Sequence, residues 1–246
     1  MQSLLLLPGM MCDQRQWAPQ IAALSDICDP ILVGNLTQGH SVKEMAAAVL
    51  STAPPRFALA GLSMGGIVAF ELWRQAPKRI THLALLDTTA RPDSAARQQL
   101  RMQQIGAVLD GRLRNVVTEE LKPSYLGLSN RGNHSLLDVI VAMATDLGPA
   151  VFERQSLALK NRPDSRPMIK AISCPTLVLY GDEDSLCDHD DHLFLAQNIR
   201  GAILVVVPAC GHLSTLESPD AVNAALRMLL KSGPNTVFSP AMETTT

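Results

Sequence analysis

Three side chains in this sequence could together transfer an acyl group, and each follows a short apolar run. Ser63 lies in Gly61-Leu62-Ser63-Met64-Gly65, after Phe57-Ala58-Leu59-Ala60 and before a helix-like segment ending at Pro77. A strand, a sharp turn with serine at its apex and then a helix make a nucleophile elbow. Glycines flank the serine because nothing larger fits between strand and helix. Asp184 closes Gly181-Asp182-Glu183-Asp184, after the apolar run Thr176–Tyr180. His212 closes Pro208-Ala209-Cys210-Gly211-His212, after the run Ala202–Val207. A serine hydroxyl is a weak nucleophile at neutral pH and needs a base within hydrogen-bond reach, a task that suits imidazole. His212 is the expected base. Asp184 is the expected group that holds its tautomer and offsets the imidazolium charge. Asp87, after Leu85-Leu86, competes for the acid's role, whereas Asp182 and Glu183 read as solvated.

Serine, aspartate and histidine in this order, each at a strand end, resemble the α/β-hydrolase superfamily over nearly all of residues 3 to 231. Length and the short insertion look similar to small bacterial carboxylesterases. The resemblance implies an oxyanion hole of two backbone N–H groups. One belongs to Met64, directly after the nucleophile. The other comes from the loop Pro8-Gly9-Met10-Met11 and is assigned to Met10, with Met11 next. Family members usually carry His-Gly there, so Pro8-Gly9 is expected to cost the loop a side-chain buttress. Met11 and Trp17 are expected to line the acyl pocket or to pack beneath the loop. The loop Gly34 to His40 is shortened, which is expected to open one side of the pocket.

The implied activity is that of a serine hydrolase acting on a small or medium carboxylic ester, with lactones and thioesters in range. An acyltransferase, a C–C hydrolase, a perhydrolase and a ligand sensor retaining the triad are the alternatives. No cofactor is expected. Asp188-His189-Asp190-Asp191-His192 has the residue types of a metal site, but reads better as the acidic first turn of an exposed helix.

The elements needed to position these residues follow from the pattern. Short apolar runs alternate with helical periodicity, which predicts an α/β fold with an about six-stranded, mostly parallel sheet and helices on both faces. Strands are expected at Leu4–Leu7, Ile31–Val33, Phe57–Ala60 and Ile80–Leu86, besides those before Asp184 and His212. Helices are expected at Gln14–Leu24, at Ser41–Ser51 with a Ser41/Glu44 capping box, at Met64–Ala76, and at Pro219–Leu230 with Ser218 as cap. Residues 1–90 and 167–231 are expected to form the core. Residues 91–166 break the alternation and are expected to be a helical lid, and 232–246 a polar tail.

The formal net charge of the 246 residues is −2, which favours neither nucleic acid nor an anionic membrane as partner. A small-molecule ester is the expected partner. Residues 91–166 hold eleven basic and eight acidic side chains. A basic lid would favour anionic substrates, but a solvated helical surface is the plainer reading. The five cysteines are odd in number and lack C-x-x-C spacing, and Leu4–Leu7 is too short for a signal-peptide core. A reducing, cytoplasmic setting is expected.

Overall fold

A computed structural model describes residues 1–121, 124–233 and 236, so Lys122 and most of the expected tail lie outside it. Six strands form one parallel sheet: β1 (Gln2–Leu7), β2 (Cys28–Val33), β3 (Phe57–Leu62), β4 (Ile80–Leu86), β5 (Thr176–Gly181) and β6 (Ile203–Val207). Their order is β2-β1-β3-β4-β5-β6. β2 begins three residues before the expected Ile31, at Cys28. Pro30 hides that start in the sequence, and an edge strand tolerates it because one side of its backbone needs no partner.

Both faces of the sheet are covered, so its strands read as continuous apolar runs. Alternate residues serve opposite layers. Leu4, Leu6, Ala60, Leu86 and Leu179 face one cluster, to which α1 (Ala18–Leu24) and α10 (Pro219–Lys231) contribute. Leu5, Leu7, Leu59, Leu85 and Val178 face the other, beneath α2 (Val42–Thr52) and α3 (Met64–Gln75). A 3-10 turn at Gln14–Trp17 precedes α1, where one continuous helix was expected.

Ser41 caps α2 by accepting from the Glu44 N–H at 3.2 Å. The reciprocal bond of the expected capping box goes elsewhere, since the Glu44 carboxylate accepts from the N–H of His40 at 2.7 Å. Ser218 precedes Pro219 as expected but makes no side-chain cap to α10.

Between β4 and β5 the chain is helical, with α4 (Ala95–Ala107), a kinked run containing α5 (Leu113–Asn115), then α6 (His134–Leu147) and α7 (Pro149–Lys160). Gly148, at φ 78°, turns α6 into α7 through 94°. Ile105, Val117, Phe152 and their neighbours join the first apolar cluster, while Ala158 and Leu159 join the second. The segment therefore sits across the end of the sheet that carries Ser63, and its apolar surface is continuous with the core. α8 (His189–Asn198) and the single turn α9 (Ser214–Glu217) complete the elements. No single helix among the described residues is long and apolar enough to cross a membrane.

Candidate active site

Ser63 stands between β3 and α3 with φ 55° and ψ −115°, a region that L side chains rarely occupy. Its N–H donates to the Leu86 carbonyl at 2.9 Å, and its carbonyl accepts from the Thr88 hydroxyl at 2.7 Å. The turn is thus tied to the end of β4 and to the loop that follows it. A Cβ on Gly61 would collide with the Gly65 backbone, and one on Gly65 with the Leu7 carbonyl. Those two contacts explain the glycines: helix α3 starts against the strands with no room for a side chain. The Ser63 side chain is left half-buried at the sheet's C-terminal edge.

The structure brings the three expected side chains together. His212 Nε2 is 2.8 Å from Ser63 Oγ, and His212 Nδ1 is 2.8 Å from Asp184 Oδ2. A carboxylate only accepts, so Nδ1 carries the proton and Nε2 is left to accept from the serine hydroxyl. Asp184 Oδ1 accepts from the N–H groups of Leu186 at 2.8 Å and Cys187 at 3.2 Å. Burial by itself would raise the Asp184 pKa, but the adjacent His212 and these N–H groups outweigh it and hold the carboxyl below its usual range. For His212, burial pulls the pKa down, yet the charge and hydrogen bond of Asp184 leave it above the ordinary imidazole value. The raised pKa makes the imidazole a stronger acceptor for the proton of the Ser63 hydroxyl that Nε2 faces.

Asp87, the competitor, sits close by but bonds differently. Its carboxyl accepts from the Gly181 N–H at 3.0 Å and meets the Ser214 hydroxyl. Burial, and then the charge of Asp184, push its pKa well above the carboxylate range. It supports the loops carrying Asp184 and His212 and does not touch the imidazole.

The loop after β1 has buttresses that the sequence did not reveal. The Gly9 N–H donates to Gln16 Oε1 at 2.8 Å, and the Met11 N–H to Gln155 Oε1 at 2.8 Å. Gln155 Nε2 donates in turn to the Leu36 carbonyl at 3.1 Å. Two glutamines thus take over the support that Pro8 cannot provide. The two expected donors differ in their bonding. The Met11 N–H is taken, whereas the Met10 N–H meets no acceptor among the described residues. The Met64 N–H is the first of α3 and has no acceptor within its own helix.

A cavity of about 50 Å³ opens on Ser63 and His212, lined also by Met10, Tyr125, Arg97 and Arg101. Met11 and Trp17 were expected to line it as one possibility; neither does, and both are buried in the core beneath the loop. A second cavity, of about 310 Å³, opens between Pro8, Asn35, Leu36 and Gln155, on the side that the short Gly34–His40 loop leaves free. Cys12 borders both cavities, and burial, aided by Asp13, pushes its thiol up to about 12, so it is protonated and unreactive there.

His189 and His192 do not form a ligand set. Instead of facing solvent, His192 is fully buried, stacked on Tyr180 at 4.4 Å, with Nδ1 2.7 Å from the Asp188 carbonyl and Nε2 accepting from the Thr88 N–H at 3.1 Å. His189 Nδ1 lies 2.6 Å from the Tyr180 hydroxyl, and Asp188 caps α8 through the Asp191 N–H.

The helical segment also grips the histidine loop. The Tyr125 carbonyl accepts from the N–H groups of His212 and Leu213 at 3.0 and 3.2 Å, and its ring stacks on the imidazole. Glu217 accepts from the Gly127 N–H at 2.8 Å. Tyr125 and Gly127 are far from His212 in sequence, so no local pattern announced their part in holding its loop.

A parallel sheet with a strained serine turn, and a histidine and an acid on the loops after its last two strands, defines a class of α/β enzymes with this topology. The chain matches the Alpha/beta hydrolase family over residues 4–225 and belongs to it. It is 26% identical over 180 residues to a 3-oxoadipate enol-lactonase of Acinetobacter baylyi, covering 72% of this chain and 64% of that enzyme, just under two thirds of its length. It is 24% identical over 188 residues to a pimeloyl-[acyl-carrier protein] methyl ester esterase of Nitrosomonas europaea, covering 73% of each. Among solved structures, a thermophilic esterase from Thermogutta terrifontis in its malate-bound form superposes with a TM-score of 0.85 at 29% identity, covering 96% of this chain and 91% of that one.

Proposed function

We propose that this chain hydrolyses a small or medium carboxylic ester, lactones and thioesters included, through an acyl-enzyme on Ser63. The observation that carries the reading is the unbroken chain of contacts from Ser63 Oγ to His212 to Asp184, with 2.8 Å at each step. In the first half-reaction Ser63 Oγ bonds to the carbonyl carbon while its proton passes to His212 Nε2. The C–O bond to the alcohol then breaks, and the same proton leaves with the alcohol. In the second half, water repeats the sequence in place of serine and frees the acid. Asp184 keeps the imidazole oriented and offsets its charge throughout. The negative oxygen formed in each half is received by the N–H groups of Met10 and Met64.

The reading is supported by the names of the lactonase and esterase relatives, both of which act on carboxylic ester bonds. We further take 91–166 as a lid, because it supplies Arg97, Arg101 and Tyr125 to the cavity wall while leaving all six strands to the rest of the chain. The test is turnover of an activated ester by wild type and by Ser63→Ala and His212→Ala. Each variant is expected to lose about 10⁴-fold or more in kcat. Undiminished turnover in Ser63→Ala would overturn the proposal.

A further inference from the structure

The wall of the catalytic cavity carries more positive charge than its protein partners neutralise. Arg97 and Arg101 stand one turn apart on α4, on the same face, and both line the cavity with Ser63. Asp93 lies just before this helix and is almost wholly buried. One of its oxygens meets Arg101 Nε at 2.5 Å, and the other meets Arg162 Nη1 at 2.5 Å. Both carboxylate oxygens are therefore committed to arginines 101 and 162. Arg101 also directs Nη1 toward Met10 Sδ at 3.6 Å, so this cluster touches the oxyanion loop itself.

Arg97 is left over. No carboxylate among the described residues lies within 4.0 Å of its guanidinium, and its side chain makes no hydrogen bond to them. Its position is unfavourable on three counts. It is partly buried, it faces the like charge of Arg101, and it sits in the first turn of a helix, where the dipole disfavours a cation. Burial and Arg101 accordingly pull its pKa below the usual arginine value. A fork of N–H donors held against such costs beside a reactive serine fits a planar anion.

Resting on the ester-hydrolase reading above, we propose that Arg97, backed by Arg101, binds a carboxylate of the substrate. The substrate class is then a short ester or lactone that bears a free carboxylate close to the scissile bond. Arg97, Arg101 and Ser63 line one cavity, so a carboxylate held by the guanidinium lies near the bond that Ser63 attacks. The basic surplus of residues 91–166, which in the sequence reads as a solvated surface, is on this account partly concentrated at the reacting atoms.

The test uses pairs of esters in which a free carboxylate is exchanged for its neutral methyl ester, with the rate read at the shared ester bond. Monomethyl and dimethyl glutarate carry the difference on the acyl side; acetoxyacetate and its methyl ester carry it on the alcohol side. Wild type is expected to favour the anionic member of one pair in kcat/KM by tenfold or more, and the favoured pair tells which side the carboxylate occupies. In Arg97→Gln that preference is expected to fall by about 10–100-fold, in Arg97→Lys by less, and in Arg97→Glu to reverse. Equal preference in wild type and Arg97→Gln overturns the proposal. If Arg97→Gln does not fold, an Arg97→Lys ratio identical to wild type does the same. Calorimetric titration with glutarate reads the subsite without any turnover: binding by wild type that weakens at least tenfold in Arg97→Gln supports it, and absence of binding in wild type opposes it. Turnover of neutral esters with no anionic preference sinks only this inference. Glutarate binding through Arg97 with no ester turnover sinks the hydrolase reading and leaves the anion site standing.

Discussion

Gln155→Met removes a support of the loop after β1 without touching Ser63, Asp184 or His212. The two side chains have similar length, so little cavity is made, and the loss is confined to hydrogen bonds. Gln155 is 1% exposed and spends both ends of its amide, accepting from the Met11 N–H at 2.8 Å and donating to the Leu36 carbonyl at 3.1 Å. A buried group stripped of its partner costs about 1–3 kcal/mol. Leu36 borders the 310 Å³ cavity, where water can replace the lost donor, so its share falls at the low end. The sum is about 2–4 kcal/mol, which for a domain of this size lowers Tm by roughly 5–15 °C. The Met10 N–H, the proposed oxyanion donor, is adjacent to the released group and is expected to lose its position. Complete removal of one oxyanion donor costs about 10²–10³ in kcat, so a misaligned donor should cost roughly tenfold or more. KM should move less, because the donor acts on charge that exists only in the transition state. Thermal unfolding and steady-state kinetics on an activated acetate ester give both numbers. A variant with unchanged Tm and unchanged kcat would refute the buttress argument.

Other outcomes follow from the same geometry. Asp184→Asn should lower kcat by about 10²–10⁴ while Asp87→Asn costs under about tenfold, since only Asp184 touches the imidazole; exchanged results would move the acid to Asp87. The rate should rise with pH as His212 loses its proton, with a midpoint above the ordinary imidazole value because Asp184 stabilises the cation. A midpoint at or below that value on an activated ester counts against the pairing. Gly65→Ala should yield little folded protein, because the new methyl collides with the Leu7 carbonyl on β1; a soluble variant with wild-type melting would contradict the close approach.

What could be read from the sequence was what local order encodes. The elbow shows itself because strand, serine turn and helix are contiguous and the glycines at 61 and 65 mark the close approach. Asp184 and His212 show themselves by following apolar runs. The edge strand β2 was half concealed by Pro30, and the capping-box pair at Ser41 and Glu44 predicted the cap but not the turn of Glu44 toward His40. The loop supports were illegible for a different reason. Gln155 acts on Met11 from 144 positions away, and a glutamine in a helix carries no sign of which backbone it will meet. His192 read as part of an exposed helical turn because its neighbours are acidic, yet only tertiary packing against Tyr180 decides its burial. Arg97 could be counted among the surplus cations, but its lack of a partner appears only once Asp93 is seen to be shared by arginines 101 and 162.

The central claim is that one serine is the covalent nucleophile, and a serine-directed fluorophosphonate followed by peptide mapping tests it most directly. The account predicts a single adduct on the peptide containing Ser63, no adduct in Ser63→Ala, and slower labelling in His212→Ala, where the base 2.8 Å from Ser63 Oγ is gone. An adduct on any other residue, or labelling of Ser63→Ala at the wild-type rate, would contradict it.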